Sequence, residues 1–355
     1  MDREEIYRIE QAAGRKFTLL LVLLIAGAAV SVFLATLLGK AEIPVRAVAE
    51  VILGAIGLSE DSPADSTWRL IVLDIRLSRI CLGMLVGIAL AVAGTVFQGV
   101  LRNPLADPFT IGVSTGAAFG ASLALFLGGG SMQLLGFGLV PLASLAGAMI
   151  ALFAVVALGK VNGHLRRDTM VLAGIVVATF LSALISLLKS LDEESVASIV
   201  FWVMGSFQGR GWSHLLLALP YAAAGLIIIW AFSRELDILS MGDTQAKLLG
   251  VQAERARLLL MIGASLITAA AVSVSGVIGF VGLIMPHLMR MMIGAEHRRL
   301  LVLSGITGGL ALVWSDVLAR IVLPGGEELP VGVVTALMGG PFFCFLLKRK
   351  RGTEP

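Results

Sequence analysis

The stretch AVSVSGVIGFVGLIMPHLMRMMIGAEHRR, residues 271 to 299, decides how this chain is read. It is a long apolar run broken by Gly276, Gly279 and Gly282, and it ends in Pro286, His287, Arg290 and a basic His297-Arg298-Arg299 turn. In hydrocarbon an unsatisfied backbone group or a bare cation costs several kcal/mol, so such residues persist where they face protein or a water-filled cavity. A span that served only as an anchor would not need them. The run therefore points to a pathway through a membrane.

Composition widens that reading to the whole chain. Hydrophobic residues fill 57% of the 355 positions and charged residues 14%, against roughly 45 to 50% and roughly 25% in soluble domains. Mean hydropathy is +0.95. The expected fold class is an all-α polytopic membrane protein. At roughly 20 residues per span, the apolar runs give about ten transmembrane helices, near 17–39, 78–101, 110–129, 136–158, 170–190, 213–232, 256–275, 278–293, 300–322 and 331–347. The domain reading is a cytoplasmic N-terminal segment 1–16, a single transmembrane domain 17–347 and a cytoplasmic tail 348–355. The run from Phe17 follows Arg15 and Lys16 as in a signal peptide, but its length favours a retained span. A net charge of +3 suggests no nucleic-acid partner. Cys81 and Cys344 lie in apolar segments without a second ligand at metal spacing, so no metal site is expected.

Charge placement sets the topology. With a cytoplasmic N-terminus, Arg8, Arg15, Lys16, Arg102, Lys160, Arg166, Arg167, Arg234, Lys247, Arg255, Arg257, Arg298, Arg299 and Lys348 to Arg351 all fall inside, and both termini are cytoplasmic. The acidic stretches Glu60 to Asp65, Asp192 to Glu194 and Glu327-Glu328 fall outside. Residues 41–75 contain PVRAVAEVILGAIG, helical in period but too short to span, which predicts an interfacial helix. The loop 233–255 predicts two short helices divided near Met241-Gly242, either a docking surface or a solvated connector. Gly83 and Gly87, then Gly112, Gly116 and Gly120, are spaced for close helix packing. Arg79, Gly94, Gly99 and Pro104 are faintly echoed by Arg257, Gly276, Gly282 and Pro286, which suggests two weakly related inverted halves.

Several motifs invite chemistry. In Arg102-Asn103-Pro104-Leu105-Ala106-Asp107-Pro108, two prolines four apart cannot both continue a helix. Asn103 and Asp107 can cap the freed backbone, and Leu105 is either part of a tight turn or an apolar constriction. His287 beside Pro286 reads as a cap for freed carbonyls more than as a proton relay, because no acidic residue lies within a turn of it. Asp316 and Arg320, four apart, form a local pair or take part in something wider. Neither Gly39-Lys40 nor Gly159-Lys160 has a P-loop, so any ATPase must be another chain. No protease nucleophile is set up at Ser114.

Four segments together, RLSRICLGMLVGIALAVAGTVFQGVLRNPLADPFTIGVSTGAAFGA, MGDTQAKLLGV, GFVGLIMPHLMRMMIG and SDVLARIVLPGGEELPVGVVTALMGGPFFCFLL, resemble in order the permease subunits of type II ABC importers for ferric siderophores, haem and vitamin B12. The resemblance runs from about Arg76 to the C-terminus. It implies a homodimer with a translocation path on its two-fold axis, two cytoplasmic ATPase subunits that hold ATP and magnesium, and an external substrate-binding protein. It implies no cofactor in this chain and no catalytic residue. On the matching motifs, Asn103 and Leu105 fall on the cytoplasmic gate, with Asp168 and Thr169 on a second gate element. Gly242, Asp243, Ala246, Leu249, Gly250 and Val251 fall on the coupling helices. Arg76, Arg79 and Arg320 fall on arginines that receive the binding protein's carboxylates, and they are expected to form one outward-facing basic patch. Thr244 and Gln245 depart from the residues many relatives carry after the coupling Asp. The expected function is the permease of an inner-membrane importer for a metal chelate, ferric siderophore first, with cobalamin or haem close behind. A secondary transporter would need midplane ionisable residues that the central spans largely lack.

Overall fold

A computed structural model describes residues 3–55, 57, 66–130, 132–134, 137–161 and 163–351. The acidic stretch Glu60 to Asp65 and the last four residues of the tail lie outside the described residues. Helices dominate: α1 (Arg3–Leu37), α2 (Val45–Ala55), α3 (Ser66–Leu101), α4 (Val113–Phe126), α5 (Leu139–Leu158), α6 (Arg167–Leu191) and α7 (Glu193–Val203), followed by α8 (Trp212–Ala231), α9 (Ser233–Met241), α10 (Asp243–Leu248), α11 (Ala253–Ser275), α12 (Val281–Ile293), α13 (His297–Ile321) and α14 (Val331–Arg351). Two antiparallel ribbons of two residues per strand, 133–138 and 160–165, only close turns.

Seven of these helices are long and apolar enough to cross a membrane, and three shorter apolar ones are Val113–Phe126, Val281–Ile293 and Val331–Cys344. Each corresponds to one span read from the sequence. The short α2 and the divided pair α9 and α10 also form where the periodicity placed them. Two features differ from the sequence reading. Helix α3 begins at Ser66 rather than near residue 78, and its segment Leu70–Leu77 is a π-helix. Helix α7 lies where only a loop was expected. Its start was written in the acidic cluster: Asp192 caps the helix by accepting from the Glu194 N–H at 3.1 Å, and Glu193 and Glu194 sit in the first turn, where carboxylates favour the helix dipole.

Helices α3 and α11 form the centre, with 78% of the most apolar stretch of each buried. They pack on each other and on α8 and α13 through small residues. A Cβ on Gly87 would meet the Gly308 carbonyl of α13, and one on Gly94 would meet the Gly282 carbonyl of α12, so these backbones touch. Gly116 and Gly120 do the same for α4 against Gly147 and Ala143 of α5. Lipid is as apolar as leucine, so close van der Waals approach, not water exclusion, is what joins helices here.

The opening stretch breaks as its glycines require. Helix α11 ends at Gly276 (φ 70°), and Phe280 takes a left-handed conformation (φ 68°) before α12 begins. Backbone freed at the break finds a protein partner: Ser206 N–H donates to Ser275 O at 2.8 Å. Pro286 cannot donate to the carbonyl four residues back, that of Gly282. Beyond the local cap expected of His287, a donor from another helix serves the Gly282 carbonyl. Gln98 Nε2 of α3 donates to Gly282 O and Leu283 O, each at 3.3 Å, while Arg290 Nη2 donates to Gln98 Oε1 at 3.0 Å.

Replacing Gln98 by Leu strips those carbonyls of their donor and Arg290 of its acceptor. The expected cost is about 1–3 kcal/mol, read as a lowered apparent melting temperature in detergent. Gly27→Ala, in open surroundings on α1, should leave it unchanged; equal melting of both variants would remove Gln98 from this role.

Candidate functional site

Three groups of residues carry the functional expectations, and the structure treats each differently. The first is the turn between α3 and α4. Arg102 leaves the helix in a left-handed conformation (φ 52°), with its N–H donating to Gly99 O at 3.3 Å and that of Asn103 donating to Gln98 O at 3.1 Å. Asn103 Oδ1 then accepts from Leu105 N–H at 2.9 Å, and Asp107 Oδ1 accepts from the N–H groups of Phe109 at 3.1 Å and Thr110 at 2.9 Å. Both caps act as the sequence suggested. Burial pushes the Asp107 carboxyl up from its usual range, opposed by the hydrogen bonds from Thr110 and Phe109.

Beside this turn lies a cavity of about 590 Å³, bounded by Asp107 and Phe109 of the turn, Met204 beyond α7, Phe280 of the α11–α12 break, Leu283 of α12 and Val333 of α14. Leu105 is 43% exposed and does not line it. Phe109 and Phe280 do. They were missed because an aromatic in an apolar run is unremarkable by composition; the signal was Phe280 standing between Gly279 and Gly282 at a break. Asp168 is exposed in the first turn of α6 and Thr169 is half-buried. Among the described residues no hydrogen bond or ion pair joins them to Asn103 or Leu105. Helix α6 instead meets the turn further along, where Gly174 touches the backbone of Thr110 and Ile111.

The second group is the bend between α9 and α11. Gly242 (φ 133°) separates α9 from α10, and a Cβ there would strike the Gln245 side chain at 2.5 Å. Gly250 (φ 75°) ends the bend, with Val251 N–H donating to Ala246 O at 2.9 Å over a fully buried Ala246. Asp243 is the fastening. Its Oδ1 accepts from Arg167 Nη2 of α6 at 2.5 Å and from Arg257 Nη2 of α11 at 2.6 Å. Arg257 also donates to Leu165 O, so the bend is tied to two spans at once. A second tie, unforeseen in the sequence, joins α9 to α13: Asp237 Oδ1 accepts from the backbone N–H of His297 and meets its ring Nδ1, both at 2.8 Å. Between these anchors Leu248 is 82% exposed and Leu249 60%, an apolar tip on a braced base.

The third group corrects the sequence reading. Arg76, Arg79 and Arg320 do not form an exposed basic patch; each is buried and engaged within the chain. Arg76 donates to the carbonyls of Thr36 at 2.7 Å, Leu37 at 3.1 Å and Ala41 at 2.5 Å. Arg79 Nη2 lies 2.7 Å from Asp316 Oδ1 and its Nη1 lies 2.8 Å from Glu328 Oε2, while Arg320 Nε is 3.2 Å from Asp316 Oδ2. A spacing of three should put Arg76 and Arg79 on one α-helical face. The junction of the π-helix with the α-helix at Leu77 and Ser78 falls between them, and its wider turn sends them to different partners. The Asp316–Arg320 pair is realised and takes in Arg79 as well.

Among the described residues no group of three His, Cys, Asp or Glu is placed to hold a metal. A bundle of apolar helices with a broken, backbone-satisfied segment, a cavity beside it and a braced apolar tip at the basic end defines a polytopic membrane transport subunit. The FecCD transport family matches residues 19–349, and the chain belongs to that family: it is the permease subunit of an ABC importer, a multi-pass inner-membrane transport component rather than an enzyme. An ABC transporter permease protein of Bacillus subtilis, YvrB, is 41% identical over 91% of each chain. The cobalamin import system permease BtuC of Halobacterium salinarum is 44% identical over 79% of this chain and 74% of its own. A solved structure described as an inward-facing conformation of a metal-chelate type ABC transporter covers 93% of this chain and 98% of its own, at 31% identity and a TM-score of 0.79.

Asp316 stands between two buried guanidinium groups with its side chain 3% exposed. Asp316→Ala leaves both without it and should cost about 3–5 kcal/mol, seen as a large drop in apparent melting temperature. Asp243→Ala, at 49% exposure, should cost less because solvent screens the pair. Arg79→Ala combined with Asp316→Ala should cost less than the sum of the single changes; strict additivity would show that the two do not interact.

Proposed function

We propose that the chain carries a metal chelate across the inner membrane as one half of a homodimer, driven by two cytoplasmic ATPase subunits and fed by an external binding protein. The bend from Gly242 to Val251 is the observation that carries this reading. Its apolar tip is exposed while its base is fastened by Asp243 to Arg167 and Arg257, which is the build a lever needs to pass force from a partner into spans α6 and α11. ATP and magnesium belong to that partner. The bend shares its end of the bundle with Arg102, whose Nη1 lies 3.4 Å from where a Gly242 side chain would begin. This concentration of basic groups supports a cytoplasmic placement of that end and of both termini, with segment 1–16 and tail 348–355 on the same side of the transmembrane domain 17–347.

The gate is assigned to the capped turn carrying Asn103 and Leu105, with the start of α6 at Asp168 and Thr169 as its second element across the dimer. An exposed Leu105 suits contact with a second copy better than a function inside one subunit. The cargo is a chelate of the ferric siderophore class, with cobalamin and haem next. The apolar cavity beside the turn supports a bulky ligand that is guided rather than gripped, because weak contacts let cargo leave. Docking of the binding protein would have to work around Arg76, Arg79 and Arg320, since all three side chains are buried within the chain.

Leu249→Asp puts a charge on an exposed tip without disturbing Ala246. It should reduce copurification of the ATPase and ATP-driven uptake at least tenfold at unchanged melting temperature; normal assembly would move the coupling contact elsewhere. Leu105→Ala should raise ATP-independent leak of cargo from liposomes. Uptake of labelled ferric siderophore, haem and cobalamin by a deletion strain carrying this gene selects the cargo, and transport of none would overturn the chelate assignment.

A further inference from the structure

A groove of about 510 Å³ runs between α3, α8 and α13, walled by Ile88, Val92, Ile227, Trp230, Val302 and Ile306. No ionisable side chain lines it. Gly305 forms part of its floor, close against Val92 and Ile88. Along α8 and α13 the groove extends over residues 226–231 and 301–306, about 8 Å of helix. That is roughly half of one leaflet's hydrocarbon depth. The groove starts next to the basic end of the bundle, where α8 finishes and α13 begins.

What closes that end gives the groove a chemistry. Arg298 lies over the Trp230 ring, 5.1 Å from its centroid. The stacked face of a guanidinium leaves its edge N–H groups available, and Arg298 is exposed with no carboxylate partner among the described residues. Its neighbour Arg299 is different: it pairs with Glu296 at 2.7 Å and packs over Phe17 at 5.8 Å. Arg234, exposed three residues beyond the groove's Ala231, adds a second cation at the same end. One rim thus combines an interfacial tryptophan, an available bidentate donor and a slot for hydrocarbon.

We infer that this groove is a binding site for an anionic glycerophospholipid, with the headgroup phosphate on Arg298 and the upper part of an acyl chain along Val302 and Ile306. A guanidinium suits the phosphate, and the slot suits only alkyl chain. Basic residues near a membrane surface favour anionic over zwitterionic lipid by about fivefold each. The site rests on the permease reading only for the bilayer around it. It differs from the cavity at the α11–α12 break in position and expected occupant.

The test uses the full chain in vesicles of phosphatidylcholine doped with bromine-labelled phosphatidylglycerol or, separately, bromine-labelled phosphatidylcholine. Quenching specific to Trp230 is obtained by difference from Trp230→Phe. The expected result is about fivefold preferential association of phosphatidylglycerol at Trp230. Arg298→Gln should abolish it, Arg298→Lys should retain part of it, and Val302→Phe should weaken it by filling the slot. Arg299→Gln should leave it intact. Equal quenching by the two lipids, or a preference indifferent to Arg298→Gln and Val302→Phe, means ordinary boundary lipid and overturns the site. Native mass spectrometry of the same variants gives a second measure, expected to show phosphatidylglycerol retained by the wild type and lost with Arg298→Gln. ATP-driven uptake is scored in vesicles of the same lipids that also hold the ATPase subunits and the binding protein, so that transport without lipid preference removes the site alone, and lipid preference without transport of any chelate removes the proposed cargo alone.

Discussion

The contact between Gln98 and the carbonyls of Gly282 and Leu283 is the one on which the rest of this bundle depends. A membrane protein may interrupt a helix only where protein satisfies the released backbone. Here α12 carries a proline in its interior and begins after a break, and the carbonyl that the proline frees faces α3. The glutamine fills the missing donor, and Arg290 holds the amide in the orientation that lets its nitrogen do so. Gly94 brings the backbones close enough for this reach, since any side chain there would strike Gly282. Without the clamp α12 would present bare carbonyls to a dry interior; with it, the broken segment is free to line a cavity.

Charge is handled by the same rule at the two ends of the bundle. At one end Asp316 and Glu328 neutralise Arg79 and Arg320; at the other Asp243 neutralises Arg167 and Arg257. The difference is exposure. Asp316 is almost wholly enclosed, whereas half of Asp243 faces outward. An enclosed network fixes helices, because separating its members leaves a desolvated charge. A half-exposed one can tolerate adjustment, because water takes up what a displaced arginine leaves behind. The rigid end holds the arginines that the sequence had offered for docking, and the more adaptable end holds the bend.

Most of the fold was legible in the sequence, since apolar length and glycine-proline punctuation act locally. The ten spans, the divided α9 and α10, and the caps by Asn103 and Asp107 all depend on residues within a few positions of one another. Misreadings came where a distant partner decides. Nothing near Pro286 names Gln98, nearly two hundred positions away, as a donor for Gly282. Arg76 and Arg79 looked like a pair because α-helical spacing was assumed, and a π-helical turn has no compositional signature to warn of it. Helix α7 could have been read, because Asp192-Glu193-Glu194 is a helix start as well as an acidic loop. The choice of Gly242 to Val251 as the proposed coupling residues came from motif resemblance, whereas the bracing of Asp243 by Arg167 and Arg257 required the structure.

Helix α11 joins these parts. Its first turns hold Arg257 against Asp243, and its last residue adjoins Gly276 and the segment that lines the cavity with Phe280. Over Ala253–Ser275 it is about 35 Å long, without a proline, and most of its apolar length is buried between neighbours. An unbroken helix packed on several sides cannot bend locally, because interiors close-packed to crystal density resist compression. Its two ends are therefore fixed relative to each other. The bend at Gly242 to Gly250 and the break at Gly276 to Phe280 lie on either side of one stiff rod, and the glycines stand at those turns while the rod between them keeps only Gly263, packed against Gly225.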